Sequence, residues 1–242
     1  MLREDPDLAE AVPFEVREQA VEACIAPVLH IPRGQWSGEQ TSVIRDGIGL
    51  IVLRGLLIRR VGIDGRFGAE LLGEGDVLRP WQGEDAVSTF PHSTGWRVID
   101  PVIVAVLDER VARRFAHFPE LTGRLVGRAL ERSRNLAVSM AIHQHARVDV
   151  RLTMLFWHLA DRWGRVRPDG VLVPLRLTHT VLGDLVAARR PTVSGAISRL
   201  AQAGLVAKTE DGWLLTGDPP RELLEVQDLR SGRPGEHADE LA

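Results

Sequence analysis

Cysteine is nearly missing: Cys24 is the single one in 242 residues. A lone thiol cannot close an internal disulfide, and it fits a reducing, cytoplasmic setting. It also rules out a cluster held by several cysteines, and with it iron–sulfur sensing. Lysine is as scarce, with Lys208 standing against 29 arginines. That bias points to a GC-rich bacterial genome more than to a mechanism. No stretch is long and uncharged enough to cross a bilayer. The opening MLREDPDLAE is acidic and has no apolar run, so no signal peptide is expected. The chain has no nucleophile elbow, Walker loop, dinucleotide fingerprint or zinc-protease spacing, which argues against an enzyme. His143 and His145 are two apart on a predicted helix and cannot share a face, while His30, His117 and His158 are isolated. Neither a metal nor another cofactor is expected.

What remains is ordinary in bulk and specific in one place. Hydrophobic residues make up 44 % and charged residues 26 % of the chain, and the length allows two domains. The specific stretch is 177–217, LTHTVLGDLVAARRPTVSGAISRLAQAGLVAKTEDGWLLTG. Thr178 is placed to cap a helix whose Val181, Leu182, Leu185 and Val186 line one face. Ala187 and Ala188 are small enough for a tight helix crossing, and Arg189 and Arg190 fill a turn. Pro191 stands where a second helix starts, since a first-turn proline lacks only an N–H that has no partner there. Val193, Ile197 and Leu200 face inward on that helix. Arg190, Thr192, Ser194, Gly195 and Ser198 face outward. Gly204 ends it, and Val206 to Lys208, the Asp211–Gly212 turn and Trp213 to Leu215 form a two-stranded wing.

The pattern predicts a winged helix-turn-helix, whose second helix enters the major groove of DNA. From 151 to 217 there are nine Arg and Lys against five Asp and Glu, whereas the whole chain carries −3. A basic module on an acidic chain suits a phosphate-binding face. The alternatives are a plain amphipathic helical hairpin, or a winged helix used for protein contacts.

On these residues the chain resembles the Crp/Fnr family of regulators. Upstream, Asp149-Val150-Arg151-Leu152 and Leu155-Phe156-Trp157-His158-Leu159-Ala160 resemble the hinge and first helix of that family's DNA-binding domain. The N-terminal half fits more loosely. A short helix is expected over 13–24, then apolar runs at 28–31, 48–53, 56–61, 67–72 and 98–107. Turn signals separate them, including Ile63-Asp64-Gly65 and Gly73-Glu74-Gly75-Asp76. Such spacing predicts an antiparallel barrel or roll. The expected class is α+β. It comprises a cyclic-nucleotide-binding-like sensor roll (1–117), a long dimerisation helix (118–148), a winged helix-turn-helix (149–217) and a partly disordered tail (218–242), in which 221–229 has helical character.

The resemblance implies roles residue by residue. Arg190 takes the place of the family's first base-reading arginine, with Ser194 and Ser198 further along the reading face. Arg189 and Thr192, with Thr178 and His179 at the other end, fall at phosphate-contacting positions; Lys208 and Thr209 sit on the wing. Pro191 and Gly195 replace a glutamate and a second arginine of the nucleotide-responsive type, so the family's familiar half-site is not expected. The phosphate-binding cassette is altered as well. Gly83-Glu84 is followed by Asp85-Ala86, His92-Ser93 falls at the Arg-Ser slot, and Arg97 is the only arginine between 80 and 100. A desolvated cyclic phosphate without its arginine would lose a charge-assisted contact. Cyclic AMP is therefore not the expected effector, and the effector is left unknown. Glu84, His92, Ser93, Arg97 and Ser139 remain the candidate pocket residues, with control through a rearranged pocket as the runner-up and an exposed, solvated loop as the plainer reading of Glu84, His92 and Arg97. Residues 119–147 form a helical pattern about 40 Å long. Its stripe is Leu125, Ala129, Leu136 and Met140, bordered by Val126, Leu130 and Ala137. The expected partners are a second copy of the chain, a pseudo-palindromic duplex and RNA polymerase, with no membrane.

Overall fold

The computed structural model describes residues 1–38, 47–81 and 92–219. The chain divides into two compact units, Met1–Val138 and Ser139–Ala242.

In the first unit, Asp5 caps a short helix α1 (Pro6–Glu10) by accepting from the Leu8 N–H. Helix α2 (Phe14–Ala23) follows, inside the expected 13–24. The strands are β1 (Val28–Ile31), β2 (Gly34–Trp36), β3 (Gly49–Ile63), β4 (Arg66–Leu72), β5 (Val77–Leu78) and β6 (Ser93–Leu107). They form an antiparallel sheet in the order β1-β6-β3-β4, with β2 on β6 and β5 on β3. The runs at 48–53 and 56–61 are therefore one strand, not two. The register slips three times between Val52 and Leu57, and Gly55 lies there at φ +98°. A Cβ on Gly55 would overlap the Pro101 carbonyl, so the glycine bends the strand where another residue would break the pairing. Asp64 and Gly65 both have positive φ, as a two-residue hairpin turn requires.

Alternation, reset by the irregularity between Val52 and Leu57, gives the central strands two apolar faces. Leu50, Val52, Val104 and Val106 point into the roll with Leu57, Leu72, Trp36, Trp81 and Trp96. Ile51, Ala105 and Leu107 point the other way, under Leu8, Val12, Val111, Phe115, Phe118, Leu121 and Leu125. Val111 and Phe115 belong to α3 (Glu109–Phe115), and Leu121 and Leu125 to α4 (Pro119–His143).

In the second unit, α5 (Val148–Trp163) leads into β7 (Arg165–Arg167) and β8 (Gly170–Val173). Then come α6 (His179–Leu185), α7 (Arg190–Gln202), β9 (Val206–Lys208) and β10 (Trp213–Leu215). The core is Phe156, Leu159, Val181, Leu182, Leu185, Val193, Leu200 and Trp213, all buried. Phe156 and Trp213 meet at 5.2 Å between ring centroids. The sheet has four strands, β7-β8-β10-β9, so the expected two-stranded wing is half of it. Arg-Pro-Asp-Gly at 167–170 turns β7 into β8, and that turn signal was legible. Among the described residues no helix is long and apolar enough to cross a membrane.

Candidate DNA interface

The helix-turn-helix is held by backbone geometry as much as by its apolar face. Thr178 caps α6 by accepting from the Val181 N–H at 3.3 Å. The carbonyls left open at the far end of α6 are met by side chains: His143 Nε2 lies 2.7 Å from the Leu185 oxygen, and Arg151 donates to Val186 at 2.7 Å. His143 thus serves as a helix stop. Among the described residues no group of histidines, cysteines and carboxylates is placed to hold a metal ion. Ala187 takes φ +49° in the turn. The small residue at the close approach is Gly183, where a Cβ would stand 2.7 Å from the Ala188 oxygen. Ala187 and Ala188 serve the turn instead of a helix crossing.

Helix α7 begins at Arg190, one residue earlier than expected, with Arg189 as its cap and Pro191 in the first turn. The shift costs nothing, because no N–H in the first turn of a helix has an internal partner. Arg189, Arg190 and Thr192 are exposed at this end, where the helix dipole is positive. Ser194 and Ser198 follow on the same face. The Ser198 hydroxyl donates to the Ser194 carbonyl at 3.0 Å. On the wing, the Lys208 ammonium lies 6.0 Å from the Trp213 ring centroid. Thr209 is partly used by the turn itself, since its hydroxyl oxygen accepts from the Gly212 N–H at 3.1 Å. His179 is engaged through one ring nitrogen: its Nδ1 lies 2.9 Å from Ser194 Oγ. Burial, then the charges of Lys208 and Arg190, press the imidazole below its ordinary proton affinity.

Of the candidate effector residues, His92, Ser93, Arg97 and Ser139 are described. Glu84, with the rest of Gly83-Glu84-Asp85-Ala86, lies outside the described residues, as does the tail segment 221–229, where a helix was expected. His92 and Ser93 are exposed where β6 begins. Arg97 is not in a loop; it lies inside β6, paired opposite Ile58 and Gln35. Its neighbours Trp96 and Val98 point into the roll, so Arg97 points to the opposite face. Ser139 belongs to the second unit.

The inward face carries residues that the sequence reading missed. Glu70 on β4 receives Arg59 from β3 at 3.0 Å and Arg132 from α4 through a two-pronged contact at 2.6 and 2.8 Å. Arg132 also donates to the Val77 carbonyl, and Arg128 one turn earlier holds Asp5 and Asp7. Trp36 and Trp96 meet edge to face at 5.9 Å. The available signal was a pair of arginines, Arg59 and Arg60, at the end of an apolar run. An arginine inside a strand needs a carboxylate, and Glu70 is the only one on β4, directly opposite Arg59.

Comparison with known proteins agrees with this geometry. Residues 150–221 match the model of the Crp-like helix-turn-helix domain. The chain carries a Crp-like helix-turn-helix. A CooA variant from Carboxydothermus hydrogenoformans superimposes with TM-score 0.64 at 14 % identity, covering 86 % of this chain and 89 % of that one. A cyclic nucleotide-binding domain containing protein from Listeria monocytogenes gives 0.61 at 12 %, covering 87 % and 96 %. The regulator CLP of Xanthomonas campestris gives 0.57 at 17 %, covering 83 % and 100 %. No curated protein sequence matches. Residues 150–221 thus form a Crp-like helix-turn-helix domain, and in fold the chain is similar to these three proteins.

Proposed function

We propose that this Crp/Fnr-like chain is a homodimeric transcription factor that reads a pseudo-palindromic operator. Arg190 is its main base reader, and RNA polymerase is its partner at promoters. The observation that carries the reading is the exposed, dipole-positive start of α7, where Arg189, Arg190 and Thr192 stand together without an acidic residue in the first turn. Arginine there suits guanine O6 and N7.

The second copy is argued from α4. Val126, Leu130 and Met140 are 53 %, 64 % and 67 % exposed. With Ser133 and Ala137 they recur at spacings of four and three, the period of a coiled-coil seam. Leu121 and Leu125, on another face, are buried in the first unit's core. The seam is therefore narrower than the expected stripe, and Leu125 does not belong to it. Energetics point the same way. One bidentate contact discriminates by about 1–3 kcal/mol, whereas an operator needs roughly 4–10 kcal/mol over other DNA.

Control without cyclic AMP is supported by the inward face of the roll. Arg59 and Arg132 are paired by Glu70 of the same chain, Trp36 packs on Trp96, and Arg97 points away. CLP is described as responsive to c-di-GMP, so control by another nucleotide through a rearranged pocket remains the second reading. Binding of duplexes selected from a random pool tests the main proposal. Arg190→Ala is expected to lose about 1–3 kcal/mol per half-site while remaining folded and dimeric. Unchanged operator affinity would remove Arg190 from its role. Calorimetric titration with cyclic AMP and cyclic GMP tests the effector reading, and micromolar binding of either would overturn it.

A further inference from the structure

His179 opens α6, yet its ring is engaged with the recognition helix. Nδ1 lies 2.9 Å from the hydroxyl oxygen of Ser194 on α7. The ring also lies near Trp213 of β10, 6.1 Å between centroids. Two other elements thus fix the imidazole beside the face that would enter the groove.

A serine hydroxyl has one proton and two lone pairs. Where Nδ1 accepts, the Ser194 proton is spent on the ring and only lone pairs are left for a base. Where Nδ1 carries a proton, the hydroxyl is released to donate. In the major groove lone pairs match the amino groups of adenine N6 and cytosine N4. A donor matches guanine O6 and N7 or thymine O4. Which ring nitrogen holds the proton follows from what the other one meets. With Nε2–H donating to a phosphate, Nδ1 is left as the acceptor.

We propose that His179 is a positioning residue that makes Ser194 a hydrogen-bond acceptor in the groove, so that Ser194 selects adenine or cytosine on the strand it touches. This rests on the DNA-binding reading and deepens it. The charged groups that bear on the imidazole are Arg190 from α7 and Lys208 from β9, while β10 presents Trp213, Leu214 and Leu215. Both charges resist a second proton on the ring, so the imidazole stays neutral at neutral pH, and Nδ1 is its acceptor when Nε2–H meets a phosphate. Acidification places a proton there and reverses the role of Ser194.

The test is site selection from a randomised duplex pool with the full chain, followed by equilibrium titration of the selected duplexes at pH 7.5 and 5.5. At pH 7.5 the wild type should favour A or C over T or G about fivefold at one position of each half-site, the worth of a single hydrogen bond. Ser194→Ala should level all four bases there. His179→Phe should keep the preferences at other positions and bring T or G at this one within about twofold. As pH falls toward 5.5 the wild type should shift from A or C toward T or G at this position, which keeps the test independent of how the variant folds. A His179→Phe protein that retains the A or C preference would overturn the proposal while leaving the DNA-binding reading intact, as would a wild-type preference for T or G at that position. A wild type with no sequence preference at all would sink both.

Discussion

At the scale of single residues, the helix-turn-helix depends on two positions whose backbones leave little choice. Ala187 holds φ +49°, a conformation that costs an L-residue roughly 1–2 kcal/mol. Ala187→Gly should therefore stabilise the second unit by about 1 kcal/mol, less the entropy that glycine loses on folding. Thermal unfolding should show a rise of a few degrees with DNA affinity unchanged. Gly183 is the reverse case. A side chain there meets the Ala188 oxygen, and Gly183→Val should lower the midpoint and weaken specific DNA binding together. Both residues were visible in the sequence, but only their roles in space distinguish them. The alanine that looked like a helix contact is a turn residue, and the glycine inside the helix makes the contact. His179 gained a second role in the same way: its sequence position suggested a phosphate contact, and the structure adds a contact from its Nδ1 to Ser194.

At the scale of elements, α4 serves two faces. Leu125 is packed under the outer face of the sheet, whereas Leu130 is exposed. Leu125→Ala should cost about 2–5 kcal/mol of stability and leave association unaffected. Leu130→Glu should leave the fold intact and shift sedimentation toward the monomer. Equal effects of the two on association would refute the division of faces. Helix α5 carries a pH effect. Burial lowers the proton affinity of His158, with Asp161 opposing and Arg162 adding to the shift. The unfolded chain takes up this proton near 6.5, while the folded chain resists it. The stability it protects is thus full above about pH 6.5 and lost as pH falls toward the lower folded value. Denaturant titrations at pH 7.5 and 5.5 should show a smaller acid loss for His158→Gln than for wild type.

At the scale of the whole molecule, a chain of net charge −3 has to approach a polyanion. It can do so because charge is unevenly placed, with nine Arg and Lys against five Asp and Glu over 151–217 and with Arg189 and Arg190 at the start of α7. Each phosphate met should release condensed counterions, so affinity is expected to fall steeply with added salt. A flat response between low and physiological salt would favour protein contacts over DNA. The sequence by itself determined the helix-turn-helix, the antiparallel roll and the long helix. Those follow from local periodicity, capping and turn chemistry, which neighbouring residues carry among themselves. It also placed Arg190 at the exposed start of α7, because a residue at a helix start needs no distant partner to define its position. Tertiary structure decided that 48–63 is one bent strand, that the wing sheet has four strands and that Arg97 faces away from the roll. It also decided that Glu70 is shared by Arg59 and Arg132. Each of these depends on strand register or on groups tens of residues apart, and a one-residue change of register turns every side chain to the opposite face.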